Sequence, residues 1–73
     1  MALIDVIAEV AGKVWKVEAE IGEELEEDDT LIILESMKME IPVDAPEGGT
    51  VREILVGEGD PIAEGQIIAR IEV

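Results

Sequence analysis

Glu35-Ser36-Met37-Lys38-Met39 lies at the midpoint of the chain, and the sequence reads alike on either side of it. A shift of 37 positions places Ile4 on Ile41, Val6 on Val43, Ala8 on Ala45, Gly12 on Gly49 and Val14 on Val51. The same shift places Gly22 on Gly59, Glu27 on Glu64 and Glu35 on Glu72. A gap-free match over nearly the whole length is the mark of an internal duplication. Met37-Lys38 is the seam between the two copies.

Working outward from the seam, period-two patterns dominate. Ile32 and Leu34 alternate with other residues, as do Ile41 and Val43, Ile4, Val6 and Ala8, and Ile67, Ala69 and Ile71. Alternation over four to eight residues predicts half-buried strands. The duplication sharpens the face assignment. It places Ile32 on Ala69 and Leu34 on Ile71, an inward set, and Ile33 on Arg70 and Glu35 on Glu72, an outward set.

Turn residues punctuate the runs. Gly12, Gly22, Gly48-Gly49, Gly57, Gly59 and Gly65 fall between apolar segments, with further strands over about 13–19 and 50–56. Pro42 and Pro61 cannot donate to a ladder and are expected at strand edges or turns. Glu23 to Asp29 looks like an acidic helix, but it is short and its twin, 60–66, contains Pro61 and Gly65. It is read as a solvated turn, in which Asp28 takes the place of its partner Gly65 and a left-handed backbone.

The expected fold is all-β. Eight short strands, four per half, form two four-stranded antiparallel sheets that close on each other as a flattened barrel or sandwich with internal two-fold duplication. The residues before the seam are expected to pair as one half, and those after it to begin the next. A two-residue hairpin with Met37 and Lys38 at its centre is the natural connection. Such turns favour Asn-Gly or glycine-containing pairs, because positive φ is required. Met and Lys there cost on the order of 1 kcal/mol or more each. A chain that forgoes glycine at its tightest turn is using the side chains for something else.

Composition bounds the function. Seventy-three residues make one small domain, which buries only roughly 60% of the surface of its unfolded chain. Of these residues 24 are Ile, Val or Leu, enough to supply a core, and the one aromatic is Trp15. There is no cysteine and no histidine, which removes disulfides, thiolate metal sites, the usual general base and the commonest metal ligand. No metal site and no catalytic residue are expected, and the calcium-loop pattern D-x-[DN]-x-[DN]-G is absent. A net charge of −14, from 19 acidic and 5 basic residues, argues against nucleic acid and anionic lipid as partners. No 18-residue apolar run and no basic leader are present, so no membrane contact and a cytoplasmic location are expected.

A lysine at the junction of two similar half-domains, with a methionine on each side, resembles the attachment site of the biotinyl/lipoyl attachment domain family. Within it the chain is most similar to the short, free-standing biotin carboxyl carrier proteins of acyl-CoA and related carboxylases. The resemblance covers residues 1–73 as one biotinyl domain and is most specific at its centre. It implies a capped barrel sandwich with the modified lysine on a hairpin at one end. It implies covalent biotin on Lys38, with Met37 and Met39 as flanking recognition residues and Glu35 and Ser36 as motif context. Lipoyl domains more often carry Asp-Lys-Ala, so Met-Lys-Met favours biotin, and a lipoyl carrier of a 2-oxo acid dehydrogenase or glycine-cleavage type system is the alternative.

The partners implied are a biotin protein ligase, a biotin carboxylase and a carboxyltransferase; the chain itself is a carrier and no enzyme. Lysine and the biotin chain together span roughly ten single bonds, an arm of about 12–15 Å. No insertion between Gly12 and Met37 is long enough for the extra "thumb" of some bacterial acetyl-CoA carboxylase carriers, so the arm is expected to be free. Trp15 maps onto Arg52 and is placed outward, packed over a barrel edge or against a partner. Lys13 and Lys16 lie beside it in a strand and are read as solvated.

Overall fold

A computed structural model describes residues 2–73. The described residues form eight strands and no helix: β1 (Leu3–Ile7), β2 (Gly12–Val17), β3 (Glu24–Leu25), β4 (Thr30–Ser36), β5 (Met39–Asp44), β6 (Gly49–Ile54), β7 (Pro61–Ile62) and β8 (Ile67–Glu72). They make two four-stranded antiparallel sheets, in the orders β1-β8-β6-β3 and β5-β4-β2-β7. Adding four to each strand number converts the first order into the second, so the duplication read from the sequence is a two-fold relation between sheets.

One expectation is corrected. Pairing within a half is only partial, β2 with β4 and β6 with β8; the remaining pairs, such as β1 with β8 and β4 with β5, cross between the halves, so each sheet takes two strands from each half. Reciprocal backbone hydrogen bonds lock this exchange. The Gly22 amide donates to the Val51 carbonyl and the Gly59 amide to that of Val14, at 2.7 and 2.8 Å. The Asp28 amide donates to Ala45 and that of Gly65 to Ala8, at 2.9 and 2.8 Å. Neither half can satisfy its backbone alone, and that makes the domain one cooperative unit.

Most of the core consists of apolar positions that the repeat duplicates, with Ala19 added, whose twin Val56 is half-buried. Val6 and Val43, Ala8 and Ala45, Val14 and Val51, Leu25 and Ile62, Leu31 and Ile68, Ile32 and Ala69, and Leu34 and Ile71 are all buried. No charged or polar residue joins them among the described residues. Ile33 and Glu35 face outward, as the offset requires.

Strict alternation fails at β-bulges. Thr30 pairs with Asp44 and Ile32 with Val43, leaving Leu31 as an extra residue, and Ile68 is extra in β8 in the same way. Leu31 and Ile68 are therefore buried beside Ile32 and Ala69, and Ile67, expected inside, is only half-buried. Pro42 and Pro61 lie in β5 and β7, the two edge strands of one sheet, where a missing N–H breaks no ladder. Glu23 to Asp29 is a turn and a two-residue strand, and Asp28 has φ 74° where Gly65 has 86°.

Candidate functional site

β4 and β5 form a hairpin in register. Ile33 pairs with Pro42, Leu34 with Ile41, Glu35 with Glu40 and Ser36 with Met39. Met37 and Lys38 are the two residues left at the tip, with φ of 50° and 66°. Positive φ at both central positions is what a type I′ turn requires, and its twist matches that of the strands it joins. No glycine relieves the strain, and no other turn among the described residues places two adjacent non-glycine residues in this region.

The tip is bare. Met37 is 93% exposed and Met39 64%, and Lys38 is exposed. No hydrogen bond or ion pair joins the Lys38 ammonium to another side chain among the described residues. Lys13 and Lys16, by contrast, lie in β2, flat on a sheet, with Lys16 4.0 Å from Glu18.

The base of the hairpin is rigid. Leu34 is fully buried under it, and Gly12 of β2 comes so close that a Cβ there would sit 2.7 Å from the Glu35 carbonyl oxygen and 3.3 Å from Ser36 Cβ. Gly49 bears the same relation to Glu72 at the other end of the two-fold. Glycine at position 12 thus lets β2 press against the last rungs of β4. The sequence marks Gly12 as a turn residue and misses this role; its match to Gly49 was the available signal.

The structure brings all five motif residues to one place. Glu35 and Ser36 form the last rungs of β4, Met39 begins β5, and Met37 and Lys38 stand beyond the sheet. An amine in this position can be approached from nearly every side. It can enter another protein's active site, and a chain attached to it would swing clear of the barrel. The residues fit a covalently attached acyl group: a single amine, open space around it and a rigid support. Among the described residues, no three His, Cys, Asp or Glu side chains gather as a metal site. No helix is long and apolar enough to cross a membrane.

Comparison with known proteins agrees with this geometry. A biotin–lipoyl family model, described as "Biotin-requiring enzyme", matches residues 3–71. A "biotinylated protein TB7.3 homolog" of Mycobacterium leprae is 45% identical over 67 residues, which are 92% of this chain and 94% of that one. The "dihydrolipoyllysine-residue acetyltransferase component of pyruvate dehydrogenase complex" of Haemophilus influenzae is 43% identical over 53 residues, 73% of this chain but 9% of that protein. In a crystal structure of Kluyveromyces lactis urea carboxylase, a segment superposes with a TM-score of 0.93 at 35% identity, covering 99% of this chain and 6% of that one. The chain is therefore similar both to nearly the whole of a short protein and to small parts of much longer ones. With a family match from Leu3 to Ile71 and the two-fold barrel carrying a lysine hairpin, the chain belongs to the biotinyl/lipoyl attachment domain family.

Proposed function

We propose that the chain is a biotin carboxyl carrier, one domain over residues 1–73, in which Lys38 is the biotinylated residue. The observation that carries this reading is the tip itself: two adjacent left-handed non-glycine residues, one of them the most exposed large apolar side chain among the described residues. Strain and apolar exposure at one point make sense where the side chains are to be handled by another protein.

A biotin protein ligase would accept the hairpin and present an activated carboxyl group to Lys38 Nζ. The amine must lose a proton to become a nucleophile; its nitrogen then forms an amide with the acyl carbon while the adenylate leaves. Once attached, biotin supplies a ureido nitrogen that takes up and releases a carboxyl group. The domain's part is positional. Leu34 and Gly12 fix the base of the hairpin, Lys38 and the arm provide reach, and the exposure of the tip leaves the arm free to visit a biotin carboxylase and then a carboxyltransferase. In this reading the domain is no enzyme, and it works in the cytoplasm beside acyl-CoA or related carboxylases.

Met37 and Met39 favour biotin over lipoate, because lipoyl domains of the family more often carry Asp-Lys-Ala. A lipoyl carrier is the second reading, favoured by the similarity to the Haemophilus influenzae component. The test is to incubate the apo-protein with ATP and either biotin plus a biotin protein ligase or lipoate plus a lipoate ligase, then map the products by peptide mass spectrometry. Biotin on Lys38 alone is the expected result. Label on Lys13 or Lys16, or no biotin, would refute the proposal, and lipoate alone would establish the second reading.

A further inference from the structure

The two sheets are copies, yet their outer faces carry opposite chemistry. On the sheet β1-β8-β6-β3, Arg70 stands in register between Asp5 and Glu53. Its Nε lies 3.0 Å from Asp5 Oδ1 and its Nη1 3.3 Å from Glu53 Oε2. Hydrogen bonding to Asp5, then the charge of Glu53, hold its guanidinium above the ordinary arginine value. Arg52, the extra residue of the bulge in β6, pairs with Glu72 at 2.6 Å. That face is a closed ion-pair network.

The two-fold sends each of these residues to the other sheet. Asp5 becomes Pro42, Arg70 becomes Ile33, Glu53 becomes Lys16, Arg52 becomes Trp15 and Glu72 becomes Glu35. The register is the same: Lys16 pairs with Ile33, which pairs with Pro42. A bulge between Val14 and Lys16 sets Trp15 and Lys16 together opposite Ile33. Where one sheet has an ion-paired ladder, the other has Trp15 on β2, 46% exposed, with Ile33 on the neighbouring strand β4 and Pro42 on β5 beyond it. On the β4–β5 side of this face a shallow depression of about 430 Å³ is lined by Ile33, Pro42, Thr30, Glu18 and Glu40.

The rim is acidic: Glu18 pairs with Lys16 at 4.0 Å, but among the described residues the carboxylates nearer the turn are unpaired. Glu35 faces Glu40 across the hairpin, and neither has an ion pair within 4.0 Å among the described residues. Like charges directly opposite destabilise a sheet, so this pair awaits a basic partner. The same face belongs to β4 and β5, the strands that end at Lys38. Ile33 is five residues from Lys38, on the order of 17 Å along the strand. A protein that acts on the bare amine has only the lysine's own length to work with, so it must cover the turn and lie against these strands. Proteins met later are reached at the end of a longer arm.

We propose that the outer face of the β5-β4-β2-β7 sheet, centred on Trp15, Ile33 and Pro42 and rimmed by Glu18, Glu35 and Glu40, is the docking surface for the ligase that acylates Lys38. The matching surface is an apolar patch ringed by lysine and arginine. This rests on the biotin-carrier reading of Lys38. The overall charge of −14 brings such a partner in, and the apolar centre sets its register.

The two-fold also supplies the test. Lys16→Glu, Ile33→Arg and Pro42→Asp together copy the Glu53–Arg70–Asp5 ladder onto the face at a register that already supports it. The variant should fold, as read from its amide spectrum, and it is more acidic than the parent, so non-specific attraction is kept. With biotin, ATP and a bacterial biotin protein ligase, its KM as acceptor should rise at least tenfold while kcat stays within twofold, since the turn and the three rungs nearest it are unaltered. Trp15→Arg alone should raise KM in the same direction and decides the matter if the triple variant does not fold. Arg52→Ala, on the sister face, should leave KM unchanged. Folded variants loaded with the parental KM would overturn the docking surface and leave the carrier reading intact. A parent that takes no biotin on Lys38 would overturn both.

Discussion

Glu35 of β4 stands directly opposite Glu40 of β5, on the second rung below the turn that carries Lys38. Across β4's other edge the neighbour of Glu35 is Lys13, but no ion pair forms between them within 4.0 Å among the described residues. At the equivalent place on the other sheet, Glu72 faces Leu3 and is neutralised by Arg52. The hairpin therefore holds two like charges that the rest of the fold avoids.

Glu40→Gln is expected to stabilise the free domain by about 0.2–1 kcal/mol, the range for cross-strand pairs. For a domain of this size that is a rise of up to about 8 °C in melting temperature. Thermal melts in low and high salt check both size and cause. The gain should shrink at 1 M salt, where the Debye length falls to about 3 Å. No gain, or one indifferent to salt, would mean that the two carboxylates are already well separated by solvent.

Gly12→Ala is expected to destabilise by about 1–3 kcal/mol, the range for overpacking a close contact. The added carbon would meet a backbone oxygen, that of Glu35, and backbone yields less readily than the end of a side chain. A denaturant midpoint that falls with an unchanged slope would identify the loss as one of native stability. Chemical shifts of Glu35 to Glu40 should move as well, since β2 is pushed against the last rungs of β4. A stable variant with an undisturbed hairpin would show that β2 can retreat.

These effects separate what the sequence carries from what it does not. The offset identified most of the core pairs, Leu31 and Ile68 excepted, because burial is largely a property of position in the repeat. It located the Met37-Lys38 turn and the left-handed Asp28 for the same reason. The exchange of strands between halves was not legible. Alternation says which face of a strand is buried, not which neighbour it bonds, and both pairings bury the same residues. The bulges at Leu31 and Ile68 shift the alternation by one residue, so Ile67 was assigned inside in place of Ile68. The contrast between the two outer faces, with the Asp5–Arg70–Glu53 network on one and Trp15, Ile33 and Pro42 on the other, needed the strand order before its members could be brought together.

Met37→Asp with Met39→Ala is expected to leave the fold nearly as stable as before. The side chains at 37 and 39 are 93% and 64% exposed, so little apolar contact is lost, and Asp accepts a φ of 50° more readily than Met. The melting temperature should change by less than about 3 °C, as for surface substitutions within ±0.5 kcal/mol. The tip then reads Asp-Lys-Ala. Biotin incorporation, measured with a biotin protein ligase, should fall, and lipoate incorporation should rise. A large loss of stability would place the methionines in the packing of the barrel instead.

Exchanging the two central residues of the turn, Met37→Lys with Lys38→Met, separates the presence of an amine from its direction. Composition and net charge are unchanged. Both positions are exposed and left-handed, with φ of 50° and 66°, so each accepts the other's unbranched side chain at similar cost, and the barrel should fold with the parental melting temperature. The amine, however, leaves the backbone one residue earlier. Successive side chains around a strand turn point in different directions, so the nitrogen is aimed away from where Lys38 presents it. A misplacement of about 1 Å can cost on the order of 100-fold in rate when a nucleophile must meet an activated acyl group held by another protein. The exchanged protein should therefore be a folded but very poor acceptor, with ligase-catalysed biotin incorporation reduced by about that factor at equal protein concentration. Equal rates would mean that the ligase needs only a lysine on a mobile tip. The rigid base that Leu34 and Gly12 give the hairpin would then have no part in acylation.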